Sequence, residues 1–280
     1  MLKQRILTAL VLLAILLPAL VYPSFVPLAA VTLVLIAAGC WEWGRLNGLA
    51  QVPSLLLAGA GAALCLASWQ AGWIAAPLPL LWLAAGSAWV LVGGWLIARG
   101  VPLWPRVPRA LRIAGGLLAL WLAWLAMARA RAVGINFLLS ILCLVWAADI
   151  CAYFAGRAFG RRKLAPAISP GKSWEGVWGG MAGVLVLALV WIWADGHWQA
   201  GAPSLYTRLA AQGWLLGLPA LVLLTAMSVV GDLVESLVKR SAGAKDSSRL
   251  LPGHGGVLDR VDALLPTLPL ALMISNLTLR

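Results

Sequence analysis

Residues 213–234 read GWLLGLPALVLLTAMSVVGDLV, and Asp232 is the single charged residue in this stretch. A helix needs about 20 mainly apolar residues to cross the hydrocarbon core of a bilayer. Similar stretches recur throughout the 280-residue chain, which is 62% hydrophobic and only 11% charged, whereas soluble domains are about a quarter charged. With a mean hydropathy of +0.94, the composition predicts an all-α, polytopic integral membrane helix bundle.

We predict about nine membrane-spanning helices. The predicted spans are residues 6–21, 25–43, 53–70, 77–98, 110–128, 133–155, 175–194, 213–234 and 257–277. The first stretch follows Lys3 and Arg5 and has the makeup of a signal peptide. It lacks a small-residue cleavage site and a second apolar stretch follows closely, so we interpret it as a retained span.

The basic residues predict the orientation of the bundle. If the N-terminus is cytoplasmic, every Lys and Arg except Arg129, Arg131, Arg208 and Arg280 falls in a cytoplasmic segment. Cytoplasmic loops of membrane proteins carry this excess of positive charge. The net charge of +12 is therefore a sign of topology, and we expect no nucleic-acid partner. Short loops and an Ala-, Leu- and Trp-rich composition are typical of a bacterial inner membrane.

The chain divides by polarity, although it has no internal repeat. Residues 1–131 are predicted to form a transmembrane anchor region, and residues 132–280 a catalytic region of the same membrane domain. The anchor has a single acid, Glu42, for which we expect an ion pair with Arg45. The four cysteines lie within or at the ends of apolar stretches, so we expect packing roles and neither a disulfide nor a zinc site. Four glycines predict close helix packing in the seventh span: Gly176, Gly179, Gly180 and Gly183.

Acidic residues concentrate at the end of the eighth span. Asp232, Glu235, Ser236 and Lys239 are three or four positions apart and are expected to share one helix face. Charged groups in a membrane helix are costly and usually face a bundle interior or a wet cavity. The alternative is a surface ion-pair ladder in which Lys239 pairs with both acids.

A second acid pair, Asp259 and Asp262, opens the ninth span directly after a PGHGG loop. Glycines before a helix leave backbone N–H groups free and allow a phosphate to approach closely. Carboxylates from two helix ends can converge on a hard cation such as Mg²⁺, which shares its coordination with substrate phosphates. We expect His254 to contact the loop or a phosphate rather than a metal. The two acid pairs therefore predict a magnesium and polyphosphate site.

Residues 169–176 read SPGKSWEG, but a P-loop would need a glycine where Pro166 stands, and no βαβ pattern surrounds the motif. A P-loop is therefore excluded, although Lys172 and Ser173 can still contact phosphate. Asp149 precedes a basic run that could attract anionic lipid headgroups or a polyphosphate. Three polar blocks, residues 149–163, 169–176 and 231–262, are predicted to lie on the same membrane face.

Residues 236–262, SLVKRSAGAKDSSRLLPGHGGVLDRVD, resemble the full signature of the phosphatidate cytidylyltransferase family. The run contains S-x-aliphatic-K-R, then K-D, H-G-G and a D-R-x-D ending. The upstream runs DICAYFAGRAFGRRKL and SPGKSWEG resemble other motifs of that family. The resemblance implies that CTP and phosphatidic acid give CDP-diacylglycerol and pyrophosphate, with Mg²⁺ and a monovalent cation such as K⁺ as cofactors.

The resemblance also implies roles for individual residues. The expected metal ligands are Asp232, Asp259, Ser236, Glu235 and Asp262. The expected catalytic residues are the three aspartates of this set and Lys239. The expected phosphate-binding residues are Lys172, Ser173, Arg240, Lys245, His254, Gly255, Gly256 and Arg260. Asp149 and Asp246 are further candidates.

Two alternative functions are left open by the residues. A CTP-using lipid or polyprenol kinase would transfer the γ-phosphoryl group and release CDP. A cation-coupled transporter would place its acids near the membrane midplane, often between repeated halves, which this sequence does not suggest. The expected partners are CTP, phosphatidic acid and membrane lipids, and the glycine-rich faces permit a homodimer.

Overall fold

The computed structural model describes residues 2–198 and 201–278, and the chain is 79% helical. Arg280 therefore lies outside the described residues. Within these described ranges, seven helices are long and apolar enough to cross a membrane: Val26–Leu46, Gln51–Gln70, Pro79–Arg99, Arg109–Val133, Ile135–Phe159, Trp174–Trp198 and Trp214–Ser241. A shorter apolar helical stretch, Ile6–Val21, precedes them. The prediction of an all-α, polytopic membrane protein is confirmed, whereas the count of nine spans and the cytoplasmic N-terminus stay predictions.

The elements follow one another with short connections. The helices are α1 (Leu2–Val21), α2 (Val26–Leu46), α3 (Gln51–Gln70), α4 (Pro79–Ala88), α5 (Gly94–Arg99), α6 (Arg109–Val133), α7 (Ile135–Phe159), α8 (Trp174–Trp198), α9 (Leu205–Ala211), α10 (Trp214–Ser241), α11 (Leu258–Val261) and α12 (Leu264–Thr278). A π-helical segment, Trp89–Gly93, joins α4 to α5, and a 3₁₀ helix, Val101–Arg106, follows α5.

The predicted ninth span, residues 257–277, is not one continuous helix. It is divided into α11 and α12 at Asp262, whose carboxylate accepts a hydrogen bond from Ala263 N at 2.7 Å. Pro266 falls in the first turn of α12, where its missing N–H is harmless. The 15 residues of α12 extend only about 22 Å. This short helix lies at the centre of the bundle, buried against α4, α6 and α10.

Helices α7 and α8 pack closely because glycines line their interface. A Cβ at Gly179 would overlap Ala155, and one at Gly183 would overlap the Cys151 side chain. A Cβ at Gly180 would lie 2.8 Å from the carbonyl oxygen of Ala148. The prediction of close packing in this span is confirmed. All four cysteines are free, with two fully buried and two partly buried, as the prediction of packing roles requires.

Non-helical segments meet at one end of the bundle. Strands β1 (Lys163–Ala165) and β2 (Ser169–Ser173) form an antiparallel hairpin between α7 and α8. Arg240, near the end of α10, donates to the carbonyl oxygen of Ile168 in this hairpin at 3.4 Å. Ser241 donates to Val101 O in the 3₁₀ helix at 3.3 Å. The hairpin, the 3₁₀ helix and the loop that follows α10 therefore surround the end of α10.

Candidate active site

The carboxylate of Asp232 lies near the end of α10 and contacts the hairpin. Lys172 Nζ of β2 is 2.6 Å from Asp232 Oδ2. Ser236 Oγ, one helical turn further along α10, donates to Asp232 Oδ1 at 3.2 Å. Two of the three predicted polar blocks therefore meet at this carboxylate.

Lys239 joins the two predicted acid pairs. Its ammonium group lies between Glu235 on α10 and Asp259 on α11, and it donates to Asp259 Oδ1 at 2.6 Å. The side chain of Glu235 is 2% exposed, and among the described residues this ammonium is the only group that pairs with it. The ion-pair ladder considered from the sequence is thus realised in part, because Lys239 pairs with Glu235 but reaches Asp259 instead of Asp232.

Asp259 also organises the loop that connects α10 to α11. Its Oδ2 atom accepts hydrogen bonds from Ser247 N at 2.9 Å, Ser247 Oγ at 2.8 Å and Gly256 N at 2.7 Å. Burial opposes the charged form of Asp259, but the hydrogen bonds from Lys239, Gly256 and Ser247 outweigh it and lower the pKa to about 2. Gly255 turns the loop with a φ of +82°, in the left-handed region that favours glycine.

Glu42 holds the other side of the same loop. This residue of α2 is fully buried and accepts from Val257 N at 2.9 Å, Leu258 N at 2.8 Å and Ser248 Oγ at 2.5 Å. The predicted ion pair between Glu42 and Arg45 is wrong, because Arg45 instead donates to the carbonyl oxygen of Leu49 at 3.1 Å. The anchor region therefore supplies a buried carboxylate to the candidate site.

The small size of Gly256 allows the loop to fit between the carboxylates of Glu42 and Asp259. A Cβ at this position would overlap both Ser247 Oγ and the Glu42 carboxylate. Ser247 itself contacts both acids, since its hydroxyl lies 3.3 Å from Glu42 Oε2 and 2.8 Å from Asp259 Oδ2. The close approach of backbone, hydroxyl and two carboxylates fixes the start of α11.

Asp262 faces the same region as Asp232. Burial and the negative charge of Asp232 raise the pKa of Asp262 above its ordinary value. A Cβ at Gly231 would overlap the carbonyl oxygen of Asp262, so α10 and the break before α12 approach each other at this glycine. A pKa perturbed by burial together with a neighbouring charge is common at functional sites.

A polar cleft of about 470 Å³ opens beside Asp232. Its lining includes Asp149 and Arg157 from α7, Lys172 and Ser173 from the hairpin, and Asp232 from α10. The first of the three polar blocks therefore joins the other two, as predicted. Glu175 does not line the cleft, and its carboxylate accepts hydrogen bonds from the backbone amides of residues 161 and 162 at 3.1–3.2 Å.

The remaining predicted phosphate-binding residues lie around the loop without forming one cluster. Arg240 donates to Ile168 O and Ala244 O, and Arg260 donates to His254 O at 2.7 Å. Lys245 and Asp246 are exposed. Nδ1 of His254 is buried and has no hydrogen-bond partner within the part of the chain that the structure describes. Their assignment as phosphate ligands stays a prediction.

The described carboxylates, histidines and cysteines do not form a group of three or more that is arranged to hold a metal ion. Lys239 and Lys172 instead occupy positions between or beside the carboxylates. Lys172 contacts Asp232, and Lys239 contacts Glu235 and Asp259. A common cation for Asp232, Glu235, Asp259 and Asp262 stays a prediction.

Residues 3–278 match the model of the cytidylyltransferase family. The chain belongs to this family. It is 41% identical over 275 residues to the phosphatidate cytidylyltransferase of Pseudomonas aeruginosa, with 96% of this chain and 95% of the relative covered. It is 38% identical over 289 residues to the protein of that name from Haemophilus influenzae, with 96% of each covered. A Brucella suis relative of the same name is 38% identical over 281 residues, with 94% and 89% covered.

Membership in the cytidylyltransferase family confirms the resemblance drawn from residues 236–262. Sequence reasoning did not find Glu42 as a member of the site. The available signal was that Glu42 is the single acid before Asp149, which is unusual at the end of an apolar helix. Its partners are more than 200 positions away along the chain, so no local pattern could identify them.

Proposed function

We propose that this chain is a phosphatidate cytidylyltransferase, which forms CDP-diacylglycerol and pyrophosphate from CTP and phosphatidic acid. The names of the relatives support this proposal over nearly the whole chain. The observation that carries it is the contact of Lys172 with Asp232, both of which line the polar cleft. At about 470 Å³, the cleft lies within the size range of small-molecule sites.

In the proposed reaction, a phosphate oxygen of phosphatidic acid forms a bond to the α-phosphorus of CTP. The bond from that phosphorus to the oxygen bridging to the β-phosphate breaks, and pyrophosphate leaves with the electron pair. Both reactants are anions, so the site must offset their repulsion. Lys172 and Arg157 in the cleft are the proposed cations for the phosphates. The attacking phosphate is already ionised, so the reaction needs no dedicated general base.

Mg²⁺ is the proposed cofactor, with Asp232, Asp262 and Ser236 as its principal ligands. These residues supply hard oxygen atoms, which magnesium prefers. When bound, the ion would neutralise and orient the triphosphate. Glu235, whose buried carboxylate pairs with Lys239, is a further candidate ligand. The oxygens of Asp259 already accept four hydrogen bonds, so we propose that Asp259 mainly holds Lys239 and the loop. A K⁺ site stays a prediction.

The proposed site faces the cytoplasm of a bacterial inner membrane. Support comes from the bacterial relatives and from the basic residues of the hairpin and the 3₁₀ helix, which lie at the same end of the bundle as the site. CTP would reach the cleft from that side. The homodimer permitted by the glycine-rich faces is likewise a proposal, which molar-mass measurement in detergent would test.

The proposed function is tested with purified protein in detergent micelles that contain phosphatidic acid, CTP and Mg²⁺. Formation of a CDP-lipid is expected, and Asp232→Asn should reduce it by about 100-fold or more, as loss of an electrostatic contact in the reaction does. Asp195→Asn is the matched control, because Asp195 lies at the other end of α8, where it accepts from Asn136, Ser204 and Thr207. Absence of the CDP-lipid, or equal loss in both variants, contradicts the proposal.

A further inference from the structure

The hairpin that carries Lys172 is fastened to the bundle at its tip and at its base. At the tip, Ile168 is buried and its carbonyl oxygen accepts a hydrogen bond from Arg240 of α10 at 3.4 Å. At the base, where α7 ends and α8 begins, Trp174 N donates to the carbonyl oxygen of Arg162 at 2.9 Å. Lys172 lies on β2 between these two places. The position of its ammonium group therefore depends on how the base of the hairpin is held.

The carboxylate of Glu175 ties the base of the hairpin to α8. Glu175 lies in the first turn of α8, and its Oε2 atom accepts from the backbone amides of Arg161 at 3.1 Å and Arg162 at 3.2 Å. Its Oε1 atom also lies 3.2 Å from the amide nitrogen of Arg162. Both amides come before β1, outside the ladder that ends at the pair of Lys163 with Ser173. The carboxylate therefore continues the hydrogen bonding where strand pairing stops.

The base of the hairpin is also tightly packed around Ser173. The hydroxyl oxygen of Ser173 accepts from Gly176 N at 3.2 Å and caps the start of α8. A Cβ at Gly156 would lie 3.1 Å from this oxygen, and a Cβ at Gly160 would lie 2.9 Å from it. Small residues thus allow the end of α7 to approach the start of α8 closely. Because this junction has little free space, a carboxylate that fixes the turn before β1 also fixes the direction of β2.

The contact of Lys172 with Asp232 is too weak to hold the hairpin by itself. The two side chains are 25% and 31% exposed, and ion pairs that are open to solvent contribute little to stability. Gly171, the neighbour of Lys172, is exposed, and a Cβ there would meet no atom within 4 Å. Side-chain packing therefore does not fix this part of β2, and the backbone contacts at the base and the tip position Lys172.

We infer that Glu175 is a positioning residue, which fixes the base of the hairpin and thereby holds Lys172 where it binds phosphate. This inference rests on the proposed function, in which Lys172 is a cation for the phosphates. Glu175 does not line the polar cleft, so its effect on the substrates is indirect. The apparent affinity for a ligand falls with the fraction of molecules in the binding-competent conformation. Loosening the hairpin should therefore weaken nucleotide binding.

Substitutions at position 175 separate positioning from a direct role of the negative charge. Glu175→Gln keeps one acceptor oxygen at the same side-chain length, which can still receive both amides, so kcat and KM should stay close to wild type. Glu175→Ala has no acceptor and should raise the KM for CTP by about tenfold, the size expected when a hydrogen bond to a charged group is lost, with a smaller change in kcat. Equal losses in the two variants would contradict positioning. Asp195→Asn, at the other end of α8, is the control and should keep the wild-type KM.

A double-mutant cycle tests whether Glu175 acts through Lys172. Lys172→Ala should itself raise the KM for CTP. Adding Glu175→Ala to Lys172→Ala should then raise the KM little further, because residues that act as one unit have non-additive effects. Full multiplication of the two single effects would overturn the inference, since a general structural defect would add to the loss of Lys172. The thermal midpoint of each variant is measured alongside and should change little in Glu175→Ala.

Two measurements that need no turnover separate this inference from the proposed function. Amide hydrogen exchange at residues 161 and 162 should be slow in the wild type and in Glu175→Gln but fast in Glu175→Ala. Equilibrium binding of radioactive CTP should weaken by about tenfold in Glu175→Ala and stay close to wild type in Glu175→Gln. Unchanged exchange or unchanged CTP binding in Glu175→Ala would overturn the inference. The expected exchange and binding, without formation of any CDP-lipid by the wild type, would overturn the proposed function alone.

Discussion

The substitution Glu42→Gln removes one charge from α2 while preserving the shape of the side chain. In the wild type, the carboxylate accepts hydrogen bonds from Val257 N, Leu258 N and Ser248 Oγ, two of them on Oε1. A glutamine keeps one acceptor oxygen. Its NH₂ group takes the place of the second oxygen, where it faces hydrogen-bond donors and cannot accept from them. We expect the active-site loop to lose its fixed position and the proposed activity to fall.

The size of the effect follows from the bonds that cannot be kept. A hydrogen bond to a charged group contributes about 1.5–3 kcal/mol. Loss of the two bonds on one carboxylate oxygen therefore costs about 3 kcal/mol at the lower end. Because about 1.4 kcal/mol corresponds to a factor of ten, turnover should fall by about 100-fold.

The measurement is kcat and KM for CTP in detergent micelles, together with the thermal midpoint of each variant. Arg45→Gln is the control, because Arg45 contacts the carbonyl oxygen of Leu49 and not Glu42. It should retain nearly full turnover. Wild-type turnover in Glu42→Gln, or an equal loss in Arg45→Gln, would refute the role assigned to Glu42 and restore a local ion pair as the better explanation.

Three further outcomes are expected around the same loop. Lys239→Gln should destabilise the protein by about 3–5 kcal/mol, because it leaves the buried Glu235 without a cation; adding Glu235→Gln should recover the thermal midpoint but not turnover. Gly256→Ala should reduce turnover and expose the loop to limited proteolysis, because the added Cβ would overlap Ser247 and Glu42. Gly59→Ala is the control and should behave as wild type, since open space surrounds that position. Chelation should stop the reaction until Mg²⁺ is restored. In Asp232→Asn, the Mg²⁺ concentration that gives half-maximal activity should rise by about tenfold, as loss of a supporting ligand predicts. An unchanged Mg²⁺ titration would argue against Asp232 as a ligand.

Apolar stretches were sufficient to predict the helices that cross the membrane. Residues 213–234, for example, lie within α10, Trp214–Ser241. Length and hydropathy decide such helices locally, so the sequence contains the needed information. Residues 257–277 were predicted as one apolar span, but its helix is interrupted between Val261 and Leu264, and Pro266 has no N–H to bond the carbonyl of Asp262. A hydropathy pattern is insensitive to such an interruption.

Contacts along one helix could be predicted from the sequence, but the geometry that they form with the rest of the bundle could not. The i, i+4 spacing correctly indicated the contacts of Asp232 with Ser236 and of Glu235 with Lys239. The spacing could not indicate that Asp232 and Glu235 border different cavities, since that depends on which helices pack on each side of α10. The contact of Lys172 with Asp232 joins residues 60 positions apart (232 − 172) and likewise depends on the tertiary fold.

The side chains that surround Asp232 are proposed to support attack on the α-phosphate of CTP. The most direct measurement is the fate of radioactive phosphorus in CTP labelled at either the α or the γ position. Label from the α position should appear in the lipid product, and label from the γ position should appear in pyrophosphate. Transfer of the γ label to the lipid, with release of CDP, would contradict the account and identify a lipid kinase instead.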